Sequence, residues 1–385
     1  MAAKQRQKLD VAIVGAGPVG ATAAILAAGN GLRIAVFEAR ALAGADRRTL
    51  ALSHASRVRL EEAGAWPAEQ ATPITSIHIS QRGGPGRTLL QAAEQGVPAL
   101  GYTVAFSALA AALDTRLAAK GVEVRRNHAC DGIDLAPEEA TLRFSSDRRA
   151  SARLLVLADG GANAAKIPGI AYIEKDYGQS AVVASVATDR GHGGRAYERF
   201  TPLGPVALLP VGDAFALIWT AAPSEAERLL ALEPVAFLAE LQAHFGDRAG
   251  RFLEVTGRAS FPLLLRHVNV PVALRTAIIG NAAQTLHPIA GQGLNLGLRD
   301  AASLAVAIAS SAPADLGGAS MLEAYRESRR RDASRGIAFT DFLVSSFLDG
   351  RYLPTWGRGM ALTALDLFPP ARRALAERMV HGAMR

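Results

Sequence analysis

A strand, a glycine-rich turn, a helix and a second strand ending in an acid open this chain. No other feature restricts its fold as much. Asp10 to Val14 reads as a short buried strand, Gly20 to Gly29 as an Ala-rich helix and Arg33 to Glu38 as a second strand, together a βαβ unit. Between the first strand and the helix stands Gly15-Ala16-Gly17-Pro18-Val19-Gly20, a GxGxxG, and Glu38 follows Gly20 by 18 residues. The motif alone says little; in this setting it marks a dinucleotide site. Gly15 permits the tight turn, Gly17 lets the backbone approach a pyrophosphate, and Gly20 lets helix and strand pack closely. The helix N-terminus offers N–H groups and a positive dipole end to phosphates. Glu38 can accept hydrogen bonds from both ribose hydroxyls, which argues for an unphosphorylated adenosine ribose. The motif does not separate FAD from NAD. It occurs once, so the chain lacks the two dinucleotide domains of a disulfide-reductase-like enzyme.

The pattern then changes along the chain. Ser107 to Ala119 is helical with Gly121 just past its end, and Val122 to Arg126 and Leu154 to Leu157 are strand-like. Ala181 to Ala187, Val206 to Leu209 and Phe215 to Thr220 are strands separated by Gly, Pro and Asp turns with no long helix between them, which predicts an antiparallel sheet. Residues 223–246 read as helical, Thr276 to Ile279 as a strand, and Leu294 to Ser311 as a long helix. The chain leaves an α/β domain, builds an antiparallel layer and returns. From about residue 320 it is helical, polar at first and then apolar with Phe339, Phe342, Phe347, Tyr352, Trp356 and Phe368.

Composition excludes several classes. Half of the 385 residues are apolar and 20% are charged, so wholesale disorder is ruled out. The one cysteine, Cys130, excludes a disulfide framework, a CxxC pair and a cysteine-rich zinc site, so a cofactor must carry any redox chemistry. The net charge of +7 is scattered, with short clusters such as Arg329-Arg330-Arg331, and no basic stripe with interleaved aromatics points to nucleic acid. No run of about 18 apolar residues predicts a spanning helix. Met1 to Lys8 lacks the apolar core of a signal peptide. A cytoplasmic location is the expectation, and peripheral contact with the inner membrane stays open.

Two further blocks narrow the reading. Leu157-Ala158-Asp159-Gly160 follows a strand. Gly280-Asn281-Ala282-Ala283-Gln284-Thr285-Leu286-His287-Pro288 leads through Gly291-Gln292-Gly293-Leu294-Asn295 into the long helix and ends at Asp300. With the GxGxxG and Glu38-Ala39-Arg40, these resemble the FAD-dependent aromatic hydroxylases of the p-hydroxybenzoate hydroxylase fold. Within them the chain is similar to the ubiquinone-biosynthesis hydroxylases. Arg47 to Leu52, Gly194 to Thr201 with Leu208 to Pro210, and Leu365 to Arg372 extend the likeness over nearly the whole chain.

The resemblance implies an α/β, Rossmann-like FAD-binding domain with an inserted antiparallel β-sheet substrate domain and a helical C-terminus. The expected division is 1–72, 99–170 and 258–335 for FAD, 73–98 and 171–257 for substrate, and 336–385 for the C-terminal segment. It implies that Gly15, Gly17, Pro18, Gly20, Glu38, Arg40, Arg48 and Asp159 hold FAD, with Asn281, Pro288, Gly291, Gln292, Gly293, Leu294 and Asn295. Backbone N–H groups at Gly293, Leu294 and Asn295 suit the negative charge of a reduced flavin. The implied reaction is hydroxylation of an aromatic ring by O2 through a flavin C4a-hydroperoxide. The implied substrate is a lipophilic polyprenylated phenol.

Departures from the family pattern matter. Asn281 and Gln284 replace the Asp and His of most relatives, which points to the members that hydroxylate C1 of 2-polyprenyl-6-methoxyphenol. Asn163 and Lys166 replace Ser and Arg in a block associated with NAD(P)H, so the electron donor is NAD(P)H or a partner reductase. His287, before Pro288 in the flavin-facing loop, is the expected catalytic group, with Tyr177 and Gln179 as weaker candidates. Val182, Val183, Val206, Leu208, Leu209, Phe215, Leu217 and Trp219 offer apolar surface to substrate or to the sheet's own core. The C-terminal aromatics suit either packing or docking on a membrane or on a multiprotein ubiquinone-synthesis complex. Other readings left open are a sibling hydroxylase of another ring carbon or small aromatic, a non-catalytic flavoprotein subunit, and an FAD-dependent reductase of isoprenoid double bonds.

Overall fold

The computed structural model describes residues 8–41, 46, 48–83, 86–145, 148–201, 204–287, 291–348 and 355–382. The chain opens with β1 (Lys8–Val14), α1 (Pro18–Ala27) and β2 (Ile34–Phe37). Next come β3 (Thr49–Ser53), α2 (His54–Glu62), β4 (Ala71–Ile74), the hairpin β5 (Ser76–Gln81) and β6 (Arg87–Gln91), and β7 (Gly101–Ala105). Then follow α3 (Phe106–Ala119), β8 (Glu123–Arg125), β9 (Cys130–Leu135), β10 (Ala140–Phe144) and β11 (Arg148–Leu157). The middle holds β12 (Tyr172–Thr188), β13 (Arg195–Phe200), β14 (Val206–Val211), β15 (Ala214–Ala221), α4 (Pro223–Ala231), α5 (Pro234–Phe245) and β16 (Phe252–Val268). The end holds β17 (Val272–Ala273), β18 (Thr276–Ile278), β19 (Gln284–Thr285), α6 (Gln292–Ser310), α7 (Ala319–Leu348), α8 (Thr355–Leu367) and α9 (Pro369–His381).

In the first sheet β18, β11, β1, β2 and β8 run parallel in that order, with antiparallel β17 at one edge and the β9–β10 hairpin paired to β11. Val11 and Ile13 face a core shared with α1, α3, α6 and α7, and Ala12 and Val14 face a second core. Both faces are covered, so these strands are apolar throughout rather than alternating. The polar first half of β11 pairs antiparallel with β10, which is why only Leu154 to Leu157 looks like a strand in the sequence.

The second sheet has the order β19-β16-β12-β15-β14-β13-β5-β6 and is antiparallel except where β13 pairs with β5. Its two long strands, β12 and β16, run from Tyr172↔Val268 to Thr188↔Phe252 and join it to the first sheet. The expected domain boundary between 257 and 258 falls inside β16. One face packs against α4 and α5 through Val182, Leu208, Leu217, Trp219, Phe237 and Leu241. The expected helical stretch 223–246 is two helices, because Leu232 is extended and Pro234 starts afresh as the first residue of α5.

The C-terminal helices pack on the β5–β6 hairpin. Ala376 and Val380 of α9 bury against Leu90 and Leu100, Thr88 donates to the Leu362 carbonyl at 2.8 Å, and Arg372 pairs with Glu94 at 3.0 Å. Phe342 and Phe368 are exposed. The side chains of Phe339, Phe347, Tyr352 and Trp356 lie outside the described residues.

A buried ionic network ties α6 to α7. Arg329 donates to Asp300 at 2.7 Å and also to Asp332, which takes a second hydrogen bond from Arg299 at 2.7 Å. All four side chains are nearly inaccessible. Arg329, the first of the three consecutive arginines, therefore belongs to the core and not to the scattered surface charge. Burial raises the Asp332 carboxyl, but Arg299 and Arg329 outweigh this and hold it below the ordinary value. Asp300 also takes the Gly280 N–H at 3.0 Å and the Gln284 amide at 2.6 Å, fixing the turn after β18. Breaking a buried pair from one side strands the other charge. Asp300→Ala is expected to lower stability by about 3–5 kcal/mol in urea unfolding; a loss under about 1 kcal/mol contradicts this role.

Candidate functional site

Three turns leave the C-terminal ends of β1, β11 and β18, the usual position for ligands in an open α/β sheet. A cavity of about 1170 Å³ runs from these turns to the face of the second sheet opposite α4 and α5. This exceeds the roughly 300–1,000 Å³ of a pocket for one small ligand and leaves room for two.

In the first turn Gly15 has φ +106°, and a Cβ on it would lie 2.4 Å from the Ala158 carbonyl oxygen. A Cβ on Gly20 would lie 2.1 Å from the Gly15 carbonyl oxygen. These two glycines are required by the protein's own packing. A Cβ on Gly17 would meet no protein atom within 4 Å, so that backbone faces open space. Pro18 is the first residue of α1, which no side chain caps, leaving its N-terminal N–H groups to a ligand.

Glu38 is buried at the end of β2. Its Oε2 accepts the Ala16 N–H at 2.9 Å, and its Oε1 accepts Arg40 N–H at 3.1 Å and Nε at 2.8 Å. Burial raises its carboxyl, but these donors outweigh that and hold it below the ordinary value. Three of about four acceptor positions are taken. That leaves room for one ribose hydroxyl, where both were expected to bind.

In the second turn Asp159 accepts the Gly161 N–H at 2.9 Å and the Asn163 amide at 2.6 Å, and Asn163 accepts Lys166 at 2.8 Å. In the third turn the exposed Asn281 lines the cavity. Gly291, at φ +59°, precedes α6, which has no side-chain cap, and Gly293 faces open space. Gln292 and Leu294 also line the cavity. The Asn295 side chain is fully engaged: it accepts Ser53 N–H at 2.8 Å and Ser56 hydroxyl at 2.6 Å and donates to Ala51 and Gly291. Only its backbone can serve a ligand. Arg40 and Arg48 line the same end, Arg48 held by Asp46 and set over the Phe106 ring. Pro288 lies outside the described residues. Open glycine backbone, uncapped helix ends and an acceptor at the ribose position together suit a dinucleotide.

His287, expected as the catalytic group of the flavin-facing loop, is not among the residues that line this cavity. It is 1% exposed, packed edge-on against Tyr177, and burial pushes its pKa down to about 4, so it is neutral near pH 7. Tyr177 donates to Asp341 at 2.9 Å, and neither it nor Gln179 lines the cavity. Of the apolar residues singled out in the sequence, Val183, Leu209 and Leu217 line the cavity, and Leu217 also joins Val182 and Leu208 in the core against α4 and α5. Two features escaped the sequence reading. Asp300 with its arginines hides within a helical, charged pattern. Glu198 lines the sheet end of the cavity, and its signal is a lone acid in phase with Ala196 on β13.

A family model described as FAD binding domain matches residues 8–340. The chain is 35% identical to ubiquinone hydroxylase UbiL of Rhodospirillum rubrum, over 94% of this chain and 87% of that protein. It is 32% identical to 3-demethoxyubiquinol 3-hydroxylase of Escherichia coli, over 77% of this chain and 79% of that one. The fold matches p-nitrophenol 4-monooxygenase PnpA of Pseudomonas putida with a TM-score of 0.80 and 17% identity, covering 98% and 100% of the two chains.

The two kinds of glycine predict opposite variants. Gly17→Val should leave the melting temperature of the FAD-free protein unchanged and weaken FAD binding about a hundredfold by displacing phosphate contacts. Gly15→Ala should destabilise the protein itself. Equal melting losses in both contradict the assignment. His287→Ala should raise the FAD Kd and lower turnover by similar factors; lost turnover with an unchanged Kd would return His287 to the chemistry.

Proposed function

The chain belongs to the FAD binding domain family, and from that premise we propose that it hydroxylates the aromatic ring of a polyprenylated phenol in ubiquinone biosynthesis. The observation that carries this is the single cavity joining the dinucleotide turns to an apolar sheet face. Relatives named as a ubiquinone hydroxylase and a 3-demethoxyubiquinol 3-hydroxylase support it. Bound and reduced, FAD supplies the activation of O2, of which one atom enters the ring and the other leaves as water. The chain's own part is positioning and exclusion of water. Gly17, Glu38 and the N-terminus of α1 hold the adenine-side half of the cofactor. The N-terminus of α6, with Gly293 and Leu294, offers N–H groups to negative charge at the flavin end. Val183, Ala207, Leu209 and Ile218 line the sheet end, where an aromatic ring is kept from water.

The ring position proposed is C1 of 2-polyprenyl-6-methoxyphenol, on the strength of Asn281 and Gln284. The Escherichia coli relative's name favours a second reading, the 3-position of a 3-demethoxyubiquinol. Among the described residues no helix is long and apolar enough to cross a membrane. The Asp159–Asn163–Lys166 chain is closed on itself, which favours electron delivery by a partner reductase over a nicotinamide bound at this turn. Anaerobic mixing of the FAD-loaded protein with NADH or NADPH alone should then leave the flavin oxidised; rapid bleaching contradicts this.

The lipid extract of a strain lacking this protein, read by mass spectrometry, tests the function. Loss of ubiquinone with accumulation of 2-polyprenyl-6-methoxyphenol is the expected result. Accumulation of a 3-demethoxyubiquinol selects the second reading. An undisturbed ubiquinone pool, in a strain with no second such hydroxylase, contradicts both.

A further inference from the structure

One row of side chains on the second sheet turns toward the cavity. Ile79 of β5, Glu198 of β13, Ala207 of β14, Ile218 of β15 and Val183 of β12 stand side by side in register. All but Ile79 line the cavity. Glu198 is the one ionisable member of this row. The neighbours of Glu198 along β13 have partners of their own: Tyr197, which also borders the cavity, packs its ring on Phe215 and Phe245, and Arg199 reaches Ser80. Among the described residues neither a donor nor a cation approaches the Glu198 carboxylate, and burial alone pushes its pKa up to about 7.

The charges around it lie elsewhere. Glu38, Arg40, Arg48, His128, Cys130, Asp159 and Lys166 line the dinucleotide end of the cavity. α8 and α9, over the adjacent hairpin, carry Arg372 paired with Glu94 and Asp366, and α9 gives the cavity Met379. A carboxylate placed in an apolar row with no partner is costly to keep. Packing gives no reason for it, since the row's other members are apolar. A ligand that brings its own donor into the row does.

We propose that Glu198 receives the phenolic hydroxyl of the substrate, accepting its hydrogen bond and then its proton. The assignment rests on the phenol substrate proposed above. The O–H bond breaks, the proton passes to a Glu198 oxygen, and the electron pair stays on the phenolate oxygen. That oxyanion pushes electron density onto the ring, as attack on an electrophilic oxygen atom requires. The ring carbon that gains oxygen loses its hydrogen to water as a proton, and Glu198 returns its own proton to the phenolate. A base that titrates near neutral pH is matched to this task.

The test uses the FAD-loaded protein without reductant and 2-methoxyphenol carrying one short prenyl chain beside the hydroxyl as probe. Binding is read from the flavin absorbance. An ionised carboxylate only accepts, and its hydrogen bond to the phenol is charge-assisted. Wild-type affinity should therefore rise about tenfold as the pH increases through Glu198's titration near 7. Glu198→Gln should bind weakly with a flat profile, and Glu198→Asp should keep a rise. Glu198→Leu completes the apolar row, so it should fold at least as stably and lose the same affinity. Identical pH profiles in wild type and Glu198→Gln overturn the assignment and leave the substrate reading standing. No binding to wild type at any pH overturns both.

Discussion

A carboxylate shared between a turn and a helix holds the functional end of this molecule together. Asp300 sits in α6 with one oxygen on the Gly280 N–H and Gln284 amide and the other on Arg329 of α7. The turn after β18, the helix whose N-terminus lines the cavity and the helix behind it are thus fixed to one another by a single side chain. Burying such charges costs more in solvation than a hydrophobic contact of the same size. The network therefore works through geometry. Gly280 and Asn281 are held at one place relative to the first turn of α6, and a site built from backbone N–H groups depends on that place.

The two sheets divide the work by how they are covered. The first has apolar residues on both faces and delivers three turns to one edge, where glycine backbone and helix ends can meet phosphate. The second packs one face on α4 and α5, and at β5 and β6 it also meets the C-terminal helices. Its other face walls the cavity, where Val183 of β12, Glu198 of β13, Ala207 of β14 and Ile218 of β15 are presented to a ligand. One continuous space then has the three turns at one end and an apolar region at the other.

Much of this was legible in the sequence, for definite reasons. The β1–α1–β2 unit has a strong local signature, because Gly15, Gly20 and Glu38 each answer a local steric or hydrogen-bonding demand. The long helix α6 and the strands of the middle domain were legible from periodicity. The face of each strand was not: Val182 and Val183 are equally apolar, yet one packs on helices and the other lines the cavity. His287 stood in the expected block, but register turned it onto Tyr177. Arg329 looked like one of three surface arginines until α7 was packed on α6. Glu198 gave only a faint sign, a lone acid in phase with Ala196, which stays ordinary until its neighbours on four other strands are known.

We propose that the flavin and the phenol ring meet in one cavity against the second sheet. A crystal structure of the FAD-loaded protein with a short-chain prenylphenol tests this most directly. The expected result is the pyrophosphate beside Gly17, the flavin edge against the first turn of α6, and the phenol hydroxyl on Glu198 in the row with Ala207 and Ile218. A ring bound outside this cavity, or a flavin held away from α6, would contradict it.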